Sequence, residues 1–530
     1  VTLTSRFEGS SVASVLTTRA TTDPQGAYLR FGPDVWSFGD VDSQAEALAA
    51  SLSTLGLQAG DRLALVLTPC PEFVVAMFAS AKLGVAIVPL NPLLPATELQ
   101  YALRHSEAVC AVTLEEALGI DYLAMFEEMM PNLPDLRHLV TVGQEDLWYD
   151  DRIHQFEDLV SAGAGRDYVA DDIDPAGHCF AIVYTSGTMG KPKGVELSHA
   201  NLIAAAAGTA DAIGLVHEDT VVGVSALFHV FGLGPGLLST LLAGASVVLQ
   251  EEEGADAVLD SAERHGATVH YGIPTHFIAE LTALEGRPRD LSKLRLAVIA
   301  GAPVGDELVE RIKEKLGVIV TTAYTVTETS STVCASRPGD PQDKRRFTVG
   351  HPVAGTTVRV LETDGSELPV ESVGEIAVKG PGVMMGYHRQ PRETAGAFDK
   401  AGFFLTGDLG LLDEEGYLHL VGRKKDVIIK AGFNVYPREV EARIESHPAV
   451  QEVAAVGVSD PLLGEAICVC VVPVEGAIVT DQEIVDWCRE TLADPKIPDQ
   501  VRFVDELPRT DTGQIRRTDL SRRIAEERSV

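Results

Sequence analysis

The chain has 530 residues, with 43 lysines and arginines against 77 aspartates and glutamates, a formal net charge of −34. Hydrophobic residues make up 45% and charged residues 23%, a globular composition with enough apolar surface for more than one core. So large an acidic excess excludes a general nucleic-acid binder and a protein adsorbed to anionic lipid, because both need a basic face. An anionic ligand would have to be held by a few local loops.

Residues 1–14 carry no basic stretch followed by an apolar one, so no secretory leader is expected. Apolar runs at 62–67 and 85–88 flank a helical pattern at 72–83. A further run at 180–183 leads through a polar loop to an alanine-rich helix near 201–207. Residues 224–249 are apolar enough to raise the question of a membrane span. His229 and the cluster Gly232, Gly234, Pro235, Gly236 interrupt them, which predicts a buried helix, loop and strand instead. Strands at 268–270, 296–299 and 318–321 follow, with an amphipathic helix at 306–316 between the last two. Strands alternating with helices of this length predict βαβ units and parallel sheet.

After Thr348 the pattern changes to short strands with glycine turns, at 357–361, 374–379 and 417–421, which predicts a small β subdomain. From Arg423 a compact α+β unit is expected. Pro437 opens a helix with Val440 and Ile444 on one face, strands run at 453–458 and 467–474, and a helix at 481–492 stacks Ile484, Cys488 and Leu492. The fold class is therefore α/β: a large N-terminal domain, 1–422, of βαβ sheets with a small β subdomain, and a small α+β domain, 423–530. The seven cysteines (Cys70, Cys110, Cys179, Cys334, Cys468, Cys470, Cys488) are scattered and form no CxxC pair, so reduced thiols and a cytoplasmic protein are expected. Cys468 and Cys470 alternate in an apolar run and belong on one face of a strand. His265, His270 and His276 lack zinc spacing and read as structural.

The strongest local signal is Tyr184-Thr185-Ser186-Gly187-Thr188-Met189-Gly190-Lys191-Pro192-Lys193-Gly194. Hydroxyls, glycines and lysines this dense can wrap an anion with backbone N–H groups and add positive charge. The spacing is not that of a Walker A loop, and no hydroxyl residue follows Lys191. Further along stand Phe228-His229-Val230-Phe231-Gly232, Gly301-Ala302-Pro303, Tyr324-Thr325-Val326-Thr327-Glu328, Thr406-Gly407-Asp408 and Gly422-Arg423-Lys424-Lys425-Asp426.

In this order, and over nearly the whole chain, these motifs resemble the adenylate-forming superfamily of acyl-CoA synthetases and AMP-dependent ligases. The resemblance implies ATP, Mg2+ and CoA as cofactors. It gives Thr185, Ser186, Gly187, Thr188 and Lys193 to the triphosphate, and His229 to the gate between nucleotide and acyl pockets. Gly301, Ala302, Pro303 and Tyr324 would contact adenine, Thr327 the α-phosphate, and Glu328 the magnesium ion. Asp408 would hold the ribose hydroxyls with Arg423, and Lys425 would be the hinge. His229, Tyr271, Gly272, Gly301 and Val326 would line the acyl pocket, while the loop around Gly432 would line the CoA tunnel. The chemistry is consistent: a carboxylate is a poor electrophile until joined to AMP, and joining two anions demands local neutralisation.

One residue departs from the pattern. Pro508-Arg509-Thr510-Asp511-Thr512-Gly513-Gln514 resembles the superfamily's C-terminal signature, but glutamine stands where the family has the lysine that bridges carboxylate and nucleotide. Loss of a charge-assisted contact in the transition state costs roughly 2–4 kcal/mol, about 10²–10³ in rate. Gln514 is compatible with an introduced substitution, a slow natural enzyme, or a member acting on another anion. The expected activity is activation of a fatty or aryl acid as acyl-AMP and transfer to CoA. The alternatives are an ATP-dependent diazotase acting on nitrite and an aryl amine, a carrier-protein loader, or a nucleotide binder impaired in adenylation. Neither nucleic acid nor an integral membrane segment is expected, and the oligomeric state is left open.

Overall fold

The computed structural model describes residues 2–144, 150–169, 172–185, 192–224, 226–250, 252, 254–302, 304–510 and 514–527. Two large sheets dominate the N-terminal part. One has nine strands, at whose centre Ala27–Phe31, Ser246–Leu249, Thr220–Val224, Val269–Gly272, Leu296–Ala300 and Ile319–Val326 run parallel. The other has eight, with a parallel series from Cys179–Tyr184 through Ala86–Pro89, Arg62–Val66 and Cys110–Leu114 to His138–Val142 and Ile153–Gln155. The alternation of strand and helix predicted from the sequence is thus present, and the helix Asp306–Leu316 has the expected bounds.

A single apolar core lies between the sheets and joins Val221, Tyr271 and Val298 on one side to Leu63, Val112 and Val183 on the other. The helix Pro71–Leu83 sits in this core and is buried at every position except Glu72. Its sequence is apolar on nearly every side, as a buried helix must be, and its buried charge Lys82 is paired with Asp42 at 2.8 Å. Separate clusters cover the outer faces: Leu99, Leu103 and Phe126 on the eight-stranded sheet, and Leu259, Phe277 and Ile312 on the nine-stranded one.

Four antiparallel strands, Thr357–Leu361, Gly374–Lys379, Phe404–Leu412 and Leu418–Arg423, form the β subdomain. Beyond the turn Lys424–Asp426 the chain enters a separate five-stranded sheet, covered on one face by Pro437–Glu445 and Asp481–Arg489. Cys468 and Cys470 share one face of Gly464–Pro473, as their spacing predicts, while Ile467, Val469 and Val471 face the other core.

Residues 224–249 differ from expectation. The Gly232–Pro235 cluster does not break into a loop but forms a π-helix, Gly232–Leu238, that continues into Ser239–Ala243 before the strand Ser246–Leu249. The glycines are there for space. A Cβ on Gly232 would lie 2.2 Å from the Ala226 carbonyl oxygen, and one on Gly236 2.5 Å from Val224 Cγ1. Among the described residues no helix is long and apolar enough to cross a membrane.

The strand Thr220–Val224 carries a bulge where its pairing shifts between Val221 and Val224. Gly223 supplies it at φ 85°, and a Cβ there would lie 2.0 Å from the Tyr271 carbonyl oxygen and 2.9 Å from the His270 ring. Gly223→Ala is expected to lower stability by at least about 2 kcal/mol in urea denaturation, from strain and overlap together. An unchanged midpoint would remove the bulge as a constraint on the strands beneath the site.

Candidate active site

The parallel strands of the nine-stranded sheet all end on one rim, where ligands of open α/β sheets bind. His229 follows the strand ending at Val224, Gly272 closes Val269–Gly272, Gly301 follows Leu296–Ala300, and Thr327 follows Ile319–Val326. The candidate residues of separate motifs are therefore brought to one edge by chain topology.

Asp408 lies in the strand Phe404–Leu412, paired with Arg423 on the next strand. One carboxylate oxygen accepts the Tyr324 hydroxyl at 2.6 Å, and the other is 3.2 Å from Arg423 Nε. Burial raises the Asp408 pKa above the usual carboxylate range, and Arg423 and Tyr324 oppose that shift. Tyr324 is itself only 6% exposed, packed among Cys334, Val358 and Ile376, so its hydroxyl is aimed and not free to turn. Alongside, Glu375 accepts the Gly407 N–H at 3.2 Å and pairs with Lys424 at 2.7 Å. Lys425 is exposed, and partial desolvation together with repulsion from Arg423 lowers its pKa.

Glu328 stands in the turn Thr327–Thr329. Its Oε1 accepts the Tyr387 hydroxyl at 2.8 Å, and Lys193 Nζ lies 4.4 Å from the centre of the Tyr387 ring. Burial raises the Glu328 pKa, while the Tyr387 bond and the Lys193 charge act the other way. The backbone just after the turn is strained: Ser330 and Ser331 hold φ of 60° and 110°. Non-glycine residues in such conformations cluster at functional sites. Thr185 donates its N–H to the Lys193 carbonyl at 3.0 Å and so closes the base of the polar loop. Ser186, Gly187, Thr188, Lys191 and Pro303 lie outside the described residues.

Gln514 comes to this rim from the C-terminal unit, its amide Nε2 donating to the Gly301 carbonyl at 3.2 Å. Gly301 has φ of 84°, and Ala302 beside it is half-buried. Gly432 is elsewhere, exposed at the turn of the hairpin Ile428–Lys430 and Phe433–Val435, with φ of 84°.

Around the expected acyl pocket, His229 Nδ1 accepts the Phe231 N–H at 3.3 Å, so the imidazole caps the helix that follows. The buried Tyr271 ring meets Phe231 edge to face at 5.3 Å, and Val326 is half-buried at the end of its strand. Gly272 does not open the expected pocket: a Cβ there would lie 2.7 Å from the Phe277 ring. The missing side chain accommodates Phe277 in the outer core. Tyr387 and Glu375 were not singled out from sequence. Each is far along the chain from the residue it serves, and no spacing rule links them.

A magnesium ion suits this donor set. It is typically held by one or two carboxylates together with substrate phosphates and water, and Glu328 offers a carboxylate beside the phosphate-type loop. Among the described residues no group of three or more His, Cys, Asp or Glu could cage a metal without such help.

The model of the AMP-binding enzyme family matches residues 16–388, and that of the AMP-binding enzyme C-terminal domain matches residues 439–514. The chain belongs to the AMP-binding enzyme family. It is 31% identical over 542 residues to a long-chain-fatty-acid–CoA ligase of Bacillus subtilis, covering 98% of this chain and 94% of the relative. It is 32% identical over 512 residues to a feruloyl-CoA synthase of an Amycolatopsis species, covering 96% and 97%. The structure of the anthranilate CoA ligase AuaEII with anthranoyl-AMP is similar at a TM-score of 0.88 and 27% identity, over 98% of both chains.

The Asp408 cluster is testable by ATP binding in a calorimeter. Asp408→Asn, which loses the charge opposite Arg423, is expected to weaken ATP at least about tenfold, and Tyr324→Phe about three- to tenfold. Unchanged affinity in both variants would detach this carboxylate from nucleotide binding.

Proposed function

We propose that this chain is an AMP-forming acid–thiol ligase that activates a fatty or aryl carboxylic acid with ATP and transfers the acyl group to CoA. The observation that carries the reading is the convergence of Lys193, Glu328, Asp408 and Gln514 on one rim of a family fold whose relatives are CoA ligases. The acid carboxylate attacks the α-phosphorus, pyrophosphate leaves, and the thiol then displaces AMP from the mixed anhydride. Thr185, Ser186, Gly187, Thr188 and Lys193 take the β- and γ-phosphates, and Thr327 the α-phosphate. Asp408 and Arg423 take the ribose, with adenine against Gly301, Ala302, Pro303 and Tyr324. Glu328 is the protein ligand for Mg2+, which when bound neutralises phosphate charge. His229, Tyr271, Gly301 and Val326 surround the acyl group.

A domain boundary at 422/423 is supported by the end of the last β-subdomain strand at Arg423, just before the turn Lys424–Asp426. Lys425 is the hinge, and its turn brings the Gly432 hairpin to the site for the thiol step. The seven free cysteines support a reducing, cytoplasmic setting.

Gln514 favours a second reading, a specialised adenylating member. Its amide can donate to Gly301 or to a substrate but adds no positive charge against two anions. Pyrophosphate release with fatty acids, aryl acids and nitrite, each with and without CoA, separates the readings. Turnover with an acid that yields a CoA thioester is expected, and turnover only with nitrite and an aryl amine would replace the ligase by a diazotase. In ATP–pyrophosphate exchange, Gln514→Lys is expected to raise acyl-AMP formation by about tenfold or more. No rise would mean that the missing charge is not limiting.

A further inference from the structure

Lys193 and Glu328 both contact Tyr387 in the phosphate half of the site, and as opposite charges left to themselves they would pair. A direct ion pair would satisfy both groups and withdraw both from an incoming nucleotide. Among the described residues they do not pair, because Tyr387 stands between them, its hydroxyl 2.8 Å from Glu328 Oε1 and its ring 4.4 Å beneath Lys193 Nζ.

We propose that Tyr387 is a positioning residue that holds the Glu328 carboxylate and the Lys193 ammonium apart and aimed, so that one can take a metal and the other a phosphate. The inference rests on the roles assigned above to Glu328 and Lys193.

The chemistry of the tyrosine suits both contacts. A hydroxyl donor occupies one carboxylate oxygen without cancelling its charge, which leaves the second oxygen for a hard cation. The π-face of the ring attracts an ammonium without offering it a counter-anion.

The ring is fixed from several sides. Tyr387 pairs with Val195 on the strand leaving the phosphate loop, two residues beyond Lys193, and residues two apart share a face. Its N–H donates to Thr394 Oγ1 at 2.9 Å. Met384 N–H donates to the Glu328 carbonyl at 2.8 Å, and Ser330 Oγ to the Gly382 carbonyl at 2.8 Å, which strap the segment before Tyr387 to the Glu328 turn. Tyr387 is 8% exposed, so it cannot swing clear.

Two kinds of variant divide the roles. Tyr387→Phe keeps the ring and loses the hydroxyl, whereas Tyr387→Leu and Tyr387→Met lose both, and whichever of the pair folds by thermal melting serves. Metal binding is read twice: by the Mg2+ concentration for half-maximal pyrophosphate release, and without turnover by electron paramagnetic resonance of Mn2+ in the complex with a non-hydrolysable ATP analogue. Tyr387→Phe is expected to weaken both about three- to tenfold while KM for ATP at saturating Mg2+ stays within about twofold. The ring-less variants are expected to add a rise in KM for ATP of about threefold or more.

Glu328→Gln is the control. If it shifts the metal response and Tyr387→Phe does not, the inference fails alone. If Glu328→Gln leaves both metal readouts unchanged, the metal reading falls and the inference with it. Equal KM for ATP in Tyr387→Phe and the ring-less variants overturns the Lys193 half.

Discussion

A half-buried carboxylate at Asp408 ties the layers around the site together. Burying such a charge is costly unless it is paired and hydrogen-bonded, and its partners come from different layers. Tyr324 reaches it from the nine-stranded sheet, and Arg423 from the last strand before the C-terminal unit. The β subdomain that carries Asp408 is therefore held against the parallel sheet by a polar contact at the rim as well as by the apolar cluster around Val333, Ile376 and Leu418. Removing either partner would leave the charge under-compensated, so the same contact that shapes the site also registers one layer on the next.

The site as a whole obeys the same logic. Each of its acids accepts a hydrogen bond from a tyrosine hydroxyl: Asp408 from Tyr324 and Glu328 from Tyr387. For both acids burial raises the pKa and the neighbouring donor and cation pull it back. In an enzyme that must bring two anions together, local positive charge matters far more than the overall excess of −34. The acidic excess belongs to the whole chain, whereas Lys193 and Arg423 sit at the rim itself. Gln514 is notable in this setting because it approaches the rim as a neutral donor, satisfied by a backbone carbonyl.

Much of the fold was legible because its signals are local. The strands at 62–67, 85–88 and 296–299 and the helix at 306–316 follow from apolar runs and periodicity, and the α+β unit after Arg423 from the same rules. The glycine cluster at 232–236 was misread as a break, since the sequence does not distinguish a glycine that frees the backbone from one that admits a neighbour. Gly272 is expected in the lining of the acyl pocket, whereas the space left by its missing side chain is taken by the Phe277 ring. Which atom a missing side chain would meet is a property of distant segments.

The sequence by itself determined the alternation of strands and helices, the family to which the motifs belong, and the identity of the groups able to handle a nucleotide. These are properties of residue type and near spacing. Only the tertiary structure decided which of those groups touch. Tyr324 and Asp408 are 84 residues apart, Glu328 and Tyr387 59, and Gly301 and Gln514 213. Contacts of that span are set by how sheets stack and strands order themselves, and such packing depends on the shape of the whole core. The separation of Lys193 from Glu328 by one aromatic ring belongs to that second kind of information.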